Sequence, residues 1–143
     1  MTATRSSVAP LTTLAELIAG LSPRLDATEY VFVQLDETAT MPMASEILAS
    51  FRETEGTTLI MSHDRAAELG LTPLLRCARI TLGVLSDLNA VGLIAAVSAR
   101  LAQAQIAVNV FSAIHHDHLF VPPPQAGRAL ELLREMASAE TPA

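Results

Sequence analysis

Apolar residues recur along the chain at two spacings, one typical of helices and one typical of strands. Residues 11–18 repeat leucine and isoleucine every three or four positions, and Gly20 follows as a stop signal. Ile47, Leu48 and Phe51 are also spaced like one face of a helix. β-branched and aromatic runs predict strands. The first half is therefore predicted as α-β-α-β-α, with helices at 11–20, 42–56 and 62–70 and strands at 30–35 and 57–61.

The second half alternates polar and apolar residues over 79–85, which predicts a strand with one face in water. A polar turn follows at 86–89. Two apolar stripes at helical spacing then predict two helices, one carried by Val91, Ile94, Val97 and Leu101 and the other by Ala126, Leu130, Leu133 and Met136. Strands at 106–114 and 118–121 lie between these helices. Residues 76–138 are therefore predicted as β-α-β-β-α.

This order of elements predicts an α+β architecture. Strands connected by right-handed helical crossovers, with the helices packed on one face of an antiparallel sheet, form the ferredoxin-like sandwich. Two abbreviated units of this kind fit 143 residues. The halves share no clear residue-level repeat, so the tandem interpretation depends on element order alone.

Composition narrows the possible chemistry. The chain has nine arginines and no lysine, which excludes a Schiff-base lysine and a phosphate-loop lysine. The net charge of −6 argues against a nucleic-acid partner, since phosphate backbones need clustered cations. Residues 1–75 hold 4 arginines against 10 acidic residues, whereas residues 76–143 hold 5 of each. The acidity therefore belongs to the first half.

Cys77 is the only cysteine, so the chain has no intramolecular disulfide and no thiolate zinc cluster. Arginines at 76 and 79 favour a lowered thiol pKa, whereas a small buried thiol in a strand is the commoner case. No secretory signal and no stretch of about 18 apolar residues is present, so we expect a cytoplasmic protein with no membrane contact.

Three of the four histidines lie in the cluster 115–118. On a strand, His116 and His118 share one face while His115 and Asp117 share the other. Two imidazoles at this spacing can bind zinc with a third ligand from elsewhere, and the alternative is a β-turn held by Asp117. We expect no metal and no cofactor. Ser112 lies near His115 but lacks a nucleophile elbow, so no catalytic residue is assigned.

The turn at 86–92 joins a strand end to a helix start, where free backbone N–H groups and the positive end of the helix dipole suit a carboxylate. Ser86, Asp87 and Asn89 add polar side chains, and Asp87 is placed to meet an ammonium group. Gly92 removes a side chain where a ligand would approach. The alternative is an ordinary helix cap with a glycine that packs against the sheet.

Several segments resemble a family of small bacterial tandem ACT-domain proteins of largely uncharacterised role. The resemblance spans about residues 11–136, and its most specific part is 116–122, HDHLFVP. It implies ACT units of βαββαβ type at 11–75 and 76–138, of which the first is degenerate and incomplete. It also implies a small ligand, commonly an amino acid, at the strand-to-helix loop between paired units. Gln105 departs from the family's usual glycine, and Ile114 and His115 replace expected aromatic residues.

The sequence thus favours a regulatory or sensor module that binds a small molecule, with an amino acid as the expected ligand, at an ACT–ACT interface. We expect a homodimer or a higher homo-oligomer. An interaction module without a ligand, and a metal-binding protein that uses His115–His118, remain the alternatives. The expected ligand-binding residues are Leu85, Ser86, Asp87, Leu88, Asn89, Val91, Gly92, His116 and His118.

Overall fold

The computed structural model describes residues 13–141. It contains six strands and four α-helices, and a short 3-10 turn precedes both β2 and α4. The elements are α1 (Leu14–Ala19), β1 (Pro23–Leu35), a 3-10 turn (Ala44–Glu46), β2 (Ile47–Glu53), β3 (Gly56–Ser62), α2 (His63–Glu68), β4 (Leu75–Leu82), α3 (Leu93–Gln103), β5 (Asn109–Ser112), β6 (Asp117–Val121), a 3-10 turn (Pro123–Gln125) and α4 (Ala126–Glu140). The predicted β-α-β-β-α order of the second half is confirmed.

All six strands belong to one antiparallel sheet with the order β2-β3-β1-β4-β6-β5. The two central strands connect the halves of the chain. Residues 30–35 of β1 pair with β3, while residues 23–25 of the same strand pair with the end of β4. The helix α1 packs mainly against α4, at the other end of the chain. Residues from the N-terminal half therefore complete the layer formed by the C-terminal half.

The four helices of the described chain cover one face of this sheet. Ile80, Leu82 and Leu119 are fully buried there against α1, α3 and α4. A second cluster joins Val31 of β1 to Ala66 of α2 on the same face, because Tyr30 pairs with Cys77 on the other side. Burial of these apolar side chains is the main stabilising contribution of the fold.

The opposite face is concave and has its own small core. Tyr30, Ile60, Cys77 and Phe120 are buried in it. The rings of Tyr30 and Phe32 both meet Phe120 edge to face, with centroids 6.3 and 5.5 Å from it. We refer to this surface as the concave face.

The predicted helix at 42–56 is wrong, because this segment is the edge strand β2 after a short 3-10 turn. A β-bulge explains the error. Two residues of β2, Leu48 and Ala49, occupy the step where β3 advances from Met61 to Ile60. The extra residue shifts the alternation, so the apolar positions acquire a spacing that resembles a helix. The strand turns back into β3 at Gly56, which has φ +140°.

Smaller corrections concern element ends and one helical face. The strand predicted at 79–85 is β4, which begins and ends earlier, and the strand predicted at 106–114 is reduced to β5. The buried stripe of α3 is Leu93, Val97 and Leu101, whereas Val91 precedes the helix and is 86% exposed. Gln105 adopts φ +59° at the helix exit, so it takes a left-handed conformation that glycine adopts more easily.

Candidate functional site

The predicted ligand loop lies beyond the end of β4, beside the turn that joins β5 to β6. A cavity of about 350 Å³ opens between these two segments. It is lined by Leu85, Ser86, Asp87, Leu88, Asn89, Ile114 and His115. The structure therefore brings five of the nine predicted site residues to one cavity wall.

A second cavity of about 140 Å³ lies directly behind the same loop, at the start of α3. Ser86, Asp87, Leu88 and Gly92 line it together with the first residues of the helix, 93–95. The first intrahelical bond runs from Ala96 N to Gly92 O, so the N–H groups before it lack a partner within the helix. Among the described residues no side chain caps this end, and its first turn holds no acidic residue. The positive end of the helix dipole therefore faces the cavity.

Asp117 also lines this cavity and is only 5% exposed. The hydroxyl of Ser86 donates to its Oδ2 at 3.4 Å, which is a long and weak hydrogen bond. A largely buried carboxylate favours a cationic partner. Asp117 is not among the site residues predicted from the sequence. Its alternation with Leu119 and Val121 was the signal, since it places the carboxylate on the buried face.

Asp87 holds the loop in shape. Its Oδ1 accepts hydrogen bonds from the backbone N–H of Asn89 at 2.7 Å and from the Asn89 side chain at 3.1 Å. The backbone carbonyl of Asp87 also accepts from Ala90 N. These contacts are typical of an Asx turn, in which the carboxylate replaces a backbone acceptor. Asp87 therefore fixes the conformation of the loop that lines both cavities.

Gly92 has φ +105°, a conformation that side chains rarely adopt. A Cβ atom there would also lie 3.4 Å from the side chain of Leu14 in α1. The backbone turn and the packing of α1 therefore explain this glycine.

The two histidines predicted for the cleft lie in different places. Nδ1 of His116 is 3.3 Å from the carbonyl oxygen of Val84, at the base of the loop. Nδ1 of His118 is 3.0 Å from the Thr81 hydroxyl, and its ring lines a separate cavity on the concave face. His116, His118 and the exposed Val91 line neither loop cavity. His118 is the most remote, because β6 begins at Asp117 and carries His118 to the far side of the sheet.

Comparison with known proteins explains this architecture. Residues 9–78 match one ACT-domain model and residues 75–135 match another. A protein of unknown function from Vibrio cholerae, described as a possible transport protein, is 38% identical with a TM-score of 0.74, over 87% of this chain and 95% of that one. The chain belongs to the ACT-domain family. No curated protein shows significant similarity to it.

More distant structures share the tandem ACT fold. The protein Atu0741 from Agrobacterium tumefaciens is 16% identical with a TM-score of 0.59, over 80% of this chain and 87% of that one. The ligand-free regulatory subunit of aspartate kinase from Thermus thermophilus is 10% identical with a TM-score of 0.58, over 82% and 97%. The N-terminal ACT copy is incomplete, because a three-residue 3-10 turn stands where the C-terminal copy has α3.

ACT domains are regulatory modules that bind small molecules, and this chain contains two of them in tandem. Among residues 13–141, no group of three metal-ligating side chains comes together. Cys77 is buried, and burial followed by the charge of Glu29 raises the pKa of its thiol to about 11. The thiol is therefore protonated, and the lowered pKa considered for it is wrong because Arg76 is ion-paired with Glu29 instead. In the described part of the chain, every helix is too short or too polar to cross a bilayer.

Proposed function

We propose that this tandem ACT protein is a regulatory module that binds a small amino acid in the cavity between the α3 N-terminus and Asp117. One observation carries the proposal: a positive helix end and a buried carboxylate line the same cavity of about 140 Å³. An amino acid carries the two complementary charges at a short, fixed distance. The volume is close to the ~150 Å³ of an engineered cavity that binds benzene, so it suits a small side chain.

The helix end receives the carboxylate of the ligand. Leu93, Ile94 and Ala95 line the cavity, and their backbone N–H groups belong to the first turn, where no intrahelical acceptor is available. Gly92 lines the same cavity at the N-cap of α3. Charge-assisted bonds of this kind are shorter and stronger than neutral ones.

The ammonium group of the ligand contacts Asp117. Ser86 already donates to one oxygen of this carboxylate, so Ser86 orients it and shares in the ligand shell. Asp87 shapes the loop, and Leu85, Leu88 and Asn89 form the outer part of the site. His116 supports the base of the loop through the carbonyl of Val84. His118 lies on the concave face, away from this site.

A second copy of the chain covers the mouth of the site. Leu88, Val91 and Ile114 are exposed apolar side chains around the loop. A cluster of this kind is typical of an interaction surface. Two copies paired here form an ACT–ACT interface. Because the ligand lies at that interface, its binding changes the oligomeric state of the chain. The single unpaired thiol suits a reducing compartment, and we propose the cytoplasm.

A thermal-shift screen against the twenty amino acids tests the ligand. A ligand at 100 times its Kd adds about 2.7 kcal/mol of stability. Asp117→Asn keeps the shape of the side chain and removes its charge, so we expect Kd to rise about tenfold to a hundredfold. Asp64→Asn is the matched control, because the Asp64 side chain is 97% exposed on α2. The absence of a shift with every amino acid would refute the proposal.

Sedimentation equilibrium tests the second copy. Val91→Asp places a charge in the exposed apolar cluster and should shift the chain towards the monomer without altering its circular dichroism. Leu74→Asp is the control, since Leu74 is also largely exposed but lies just before β4, away from this loop. Equal masses for the wild type and the Val91 variant would place the interface elsewhere.

A further inference from the structure

The concave face contains a small cavity between the two edges of the sheet. Leu48 and Ala49 come from β2 at one edge, while Phe111 and Ala113 come from the region of β5 at the other. Four strands lie between β2 and β5, so a cavity lined by both edges shows that the sheet curls strongly. The enclosed volume is about 90 Å³. This cavity is separate from the loop cavities described above.

Arg79 supplies a positive group at the floor of this cavity. Its side chain is only 20% exposed and its guanidinium lies 5.1 Å above the ring of Tyr30. Nε and Nη2 both donate to Oδ2 of Asp26, at 3.2 and 2.5 Å. A guanidinium has a second edge, formed by Nη1 and Nη2, that binds a carboxylate with two parallel hydrogen bonds. Among the described residues, the hydrogen bonds of Arg79 leave that edge available.

His118 supplies a second donor beside Arg79. Its Nδ1 lies 3.0 Å from the Thr81 hydroxyl. When that hydroxyl donates to Nδ1, the ring proton is on Nε2 and is available to an acceptor in the cavity. Thr81 and Arg79 alternate along β4 on the same face, and Thr81 pairs with His118 of the neighbouring strand β6. The guanidinium of Arg79 and the imidazole of His118 therefore lie on the same face of adjacent strands.

The remaining walls are apolar. Leu48, Ala49, Phe111, Ala113 and Phe120 complete the lining, which contains no carboxylate for an ammonium group. Asp26 does not serve as one, because its carboxylate is occupied by Arg79 and by the Tyr30 hydroxyl. The cavity therefore combines one anion-binding end with an apolar body.

We propose that the concave face is a second binding site, which takes a short-chain aliphatic monocarboxylate. The carboxylate binds the free edge of Arg79 and Nε2 of His118, and the alkyl chain lies against Phe111 and Phe120. A volume of about 90 Å³ falls between the ~30 Å³ share of one water and the ~150 Å³ that holds benzene. This size suits an acid of about three or four carbon atoms. So small a ligand has few contacts, and we expect a Kd in the millimolar range.

An NMR titration with sodium butyrate tests this site on the full chain. Butyrate should produce saturable shifts of the His118 ring and of the Phe111 and Phe120 resonances. Butyramide has the same shape without the charge and should bind at least tenfold more weakly. Sodium chloride at matched ionic strength should leave these signals unchanged, which separates binding from screening.

Cavity-filling provides the matched variants. Ala49→Leu adds a bulky side chain inside the cavity and leaves the Arg79–Asp26 pair intact, so it should weaken butyrate binding at least tenfold. Ala107→Leu adds the same volume at an exposed position outside the cavity and should keep Kd within twofold. Circular dichroism is the check that both variants fold. Unsaturable shifts, equal binding of butyramide, or unchanged binding in the Ala49 variant would each overturn the proposal.

Discussion

The polar residues of the concave face owe their positions to backbone irregularity. Three residues of β1, Asp26, Ala27 and Thr28, lie opposite Arg79 alone, because the register shifts between Leu25 and Glu29. The Thr28 N–H donates to the Asp26 side chain at 2.9 Å and stabilises this bulge. Burial raises the pKa of Asp26, but the hydrogen bonds that its carboxylate accepts from the Thr28 backbone and from Arg79 hold the pKa below its ordinary value. A partly buried ion pair of this kind is sensitive to the loss of either partner.

His118 makes stability depend on pH. Burial, followed by the charges of Arg79 and His116, lowers its pKa below the ordinary 6.5, while Asp117 opposes the shift. Below pH 6.5 the unfolded chain therefore binds a proton that the folded chain does not. We expect the free energy of unfolding to fall as pH drops from 6.5 through the pKa of the folded state, and His118→Gln to reduce that fall.

Urea unfolding between pH 7.5 and 5 measures this effect. His63→Gln is the control, because His63 lies on α2 and is remote from Arg79. Asp26 does not obscure the result, since its lowered pKa places its titration below 3.8. An unchanged pH dependence in the His118 variant would show that another group is responsible.

At the scale of elements, the β2–β3 hairpin is the part of the fold that periodicity failed to predict. Glu53 pairs with Gly56 across a two-residue turn, and the bulge at Leu48 shifts the apolar positions of β2. Most of its side chains are exposed, and only Ile47 and Ala49 are partly buried. A strand with so little buried surface has only a weak period-two signal. Pairing with β3 is therefore what makes this segment a strand.

Gly56→Ala should destabilise this hairpin and with it the sheet. Gly56 has φ +140°, and an added Cβ would lie 2.4 Å from the carbonyl oxygen of Leu35 on β1. We expect a loss of about 1–3 kcal/mol, seen as a lower urea midpoint. Gly127→Ala is the matched control in α4, where nothing lies within 4 Å of the added atom. That change should stabilise the chain by up to about 1 kcal/mol, and a larger loss there than at Gly56 would contradict this account.

At the scale of the whole molecule, the two ACT copies share one sheet. β1 pairs with strands of both halves, and α1 packs on α4 near the end of the chain. The division at residues 75 and 76 stays a prediction about sequence units. Because strand pairing and helix packing both cross that point, the halves depend on each other for burial.

We therefore expect a single cooperative unfolding transition. Tyr30 is the only tyrosine, lies on β1, and meets Phe120 of β6, so its fluorescence reports the centre of the sheet. In urea, tyrosine fluorescence and far-UV circular dichroism should give the same midpoint. Leu59→Ala in the first half and Leu132→Ala in the second should each shift the whole curve, by about 2–5 kcal/mol. Two separated transitions, or a variant that moves only one, would show independent halves.

The sequence alone determined the features that depend on short-range pattern. The β-α-β-β-α order of the second half, the buried face of α3 beyond its first turn and the loop at 86–92 all follow from spacing within a few residues. The resemblance to tandem ACT proteins added the family and its α+β fold.

Tertiary structure decided what depends on residues that are distant in sequence. Arg79 meets Asp26 across 53 positions, and Ser86 meets Asp117 across 31. Neither contact has a local signature, since each is produced by strand order, by a bulge in β1 and by the face on which β6 presents its side chains. The same long-range pairing separated His118 from the loop and turned the segment at 47–53 into a strand.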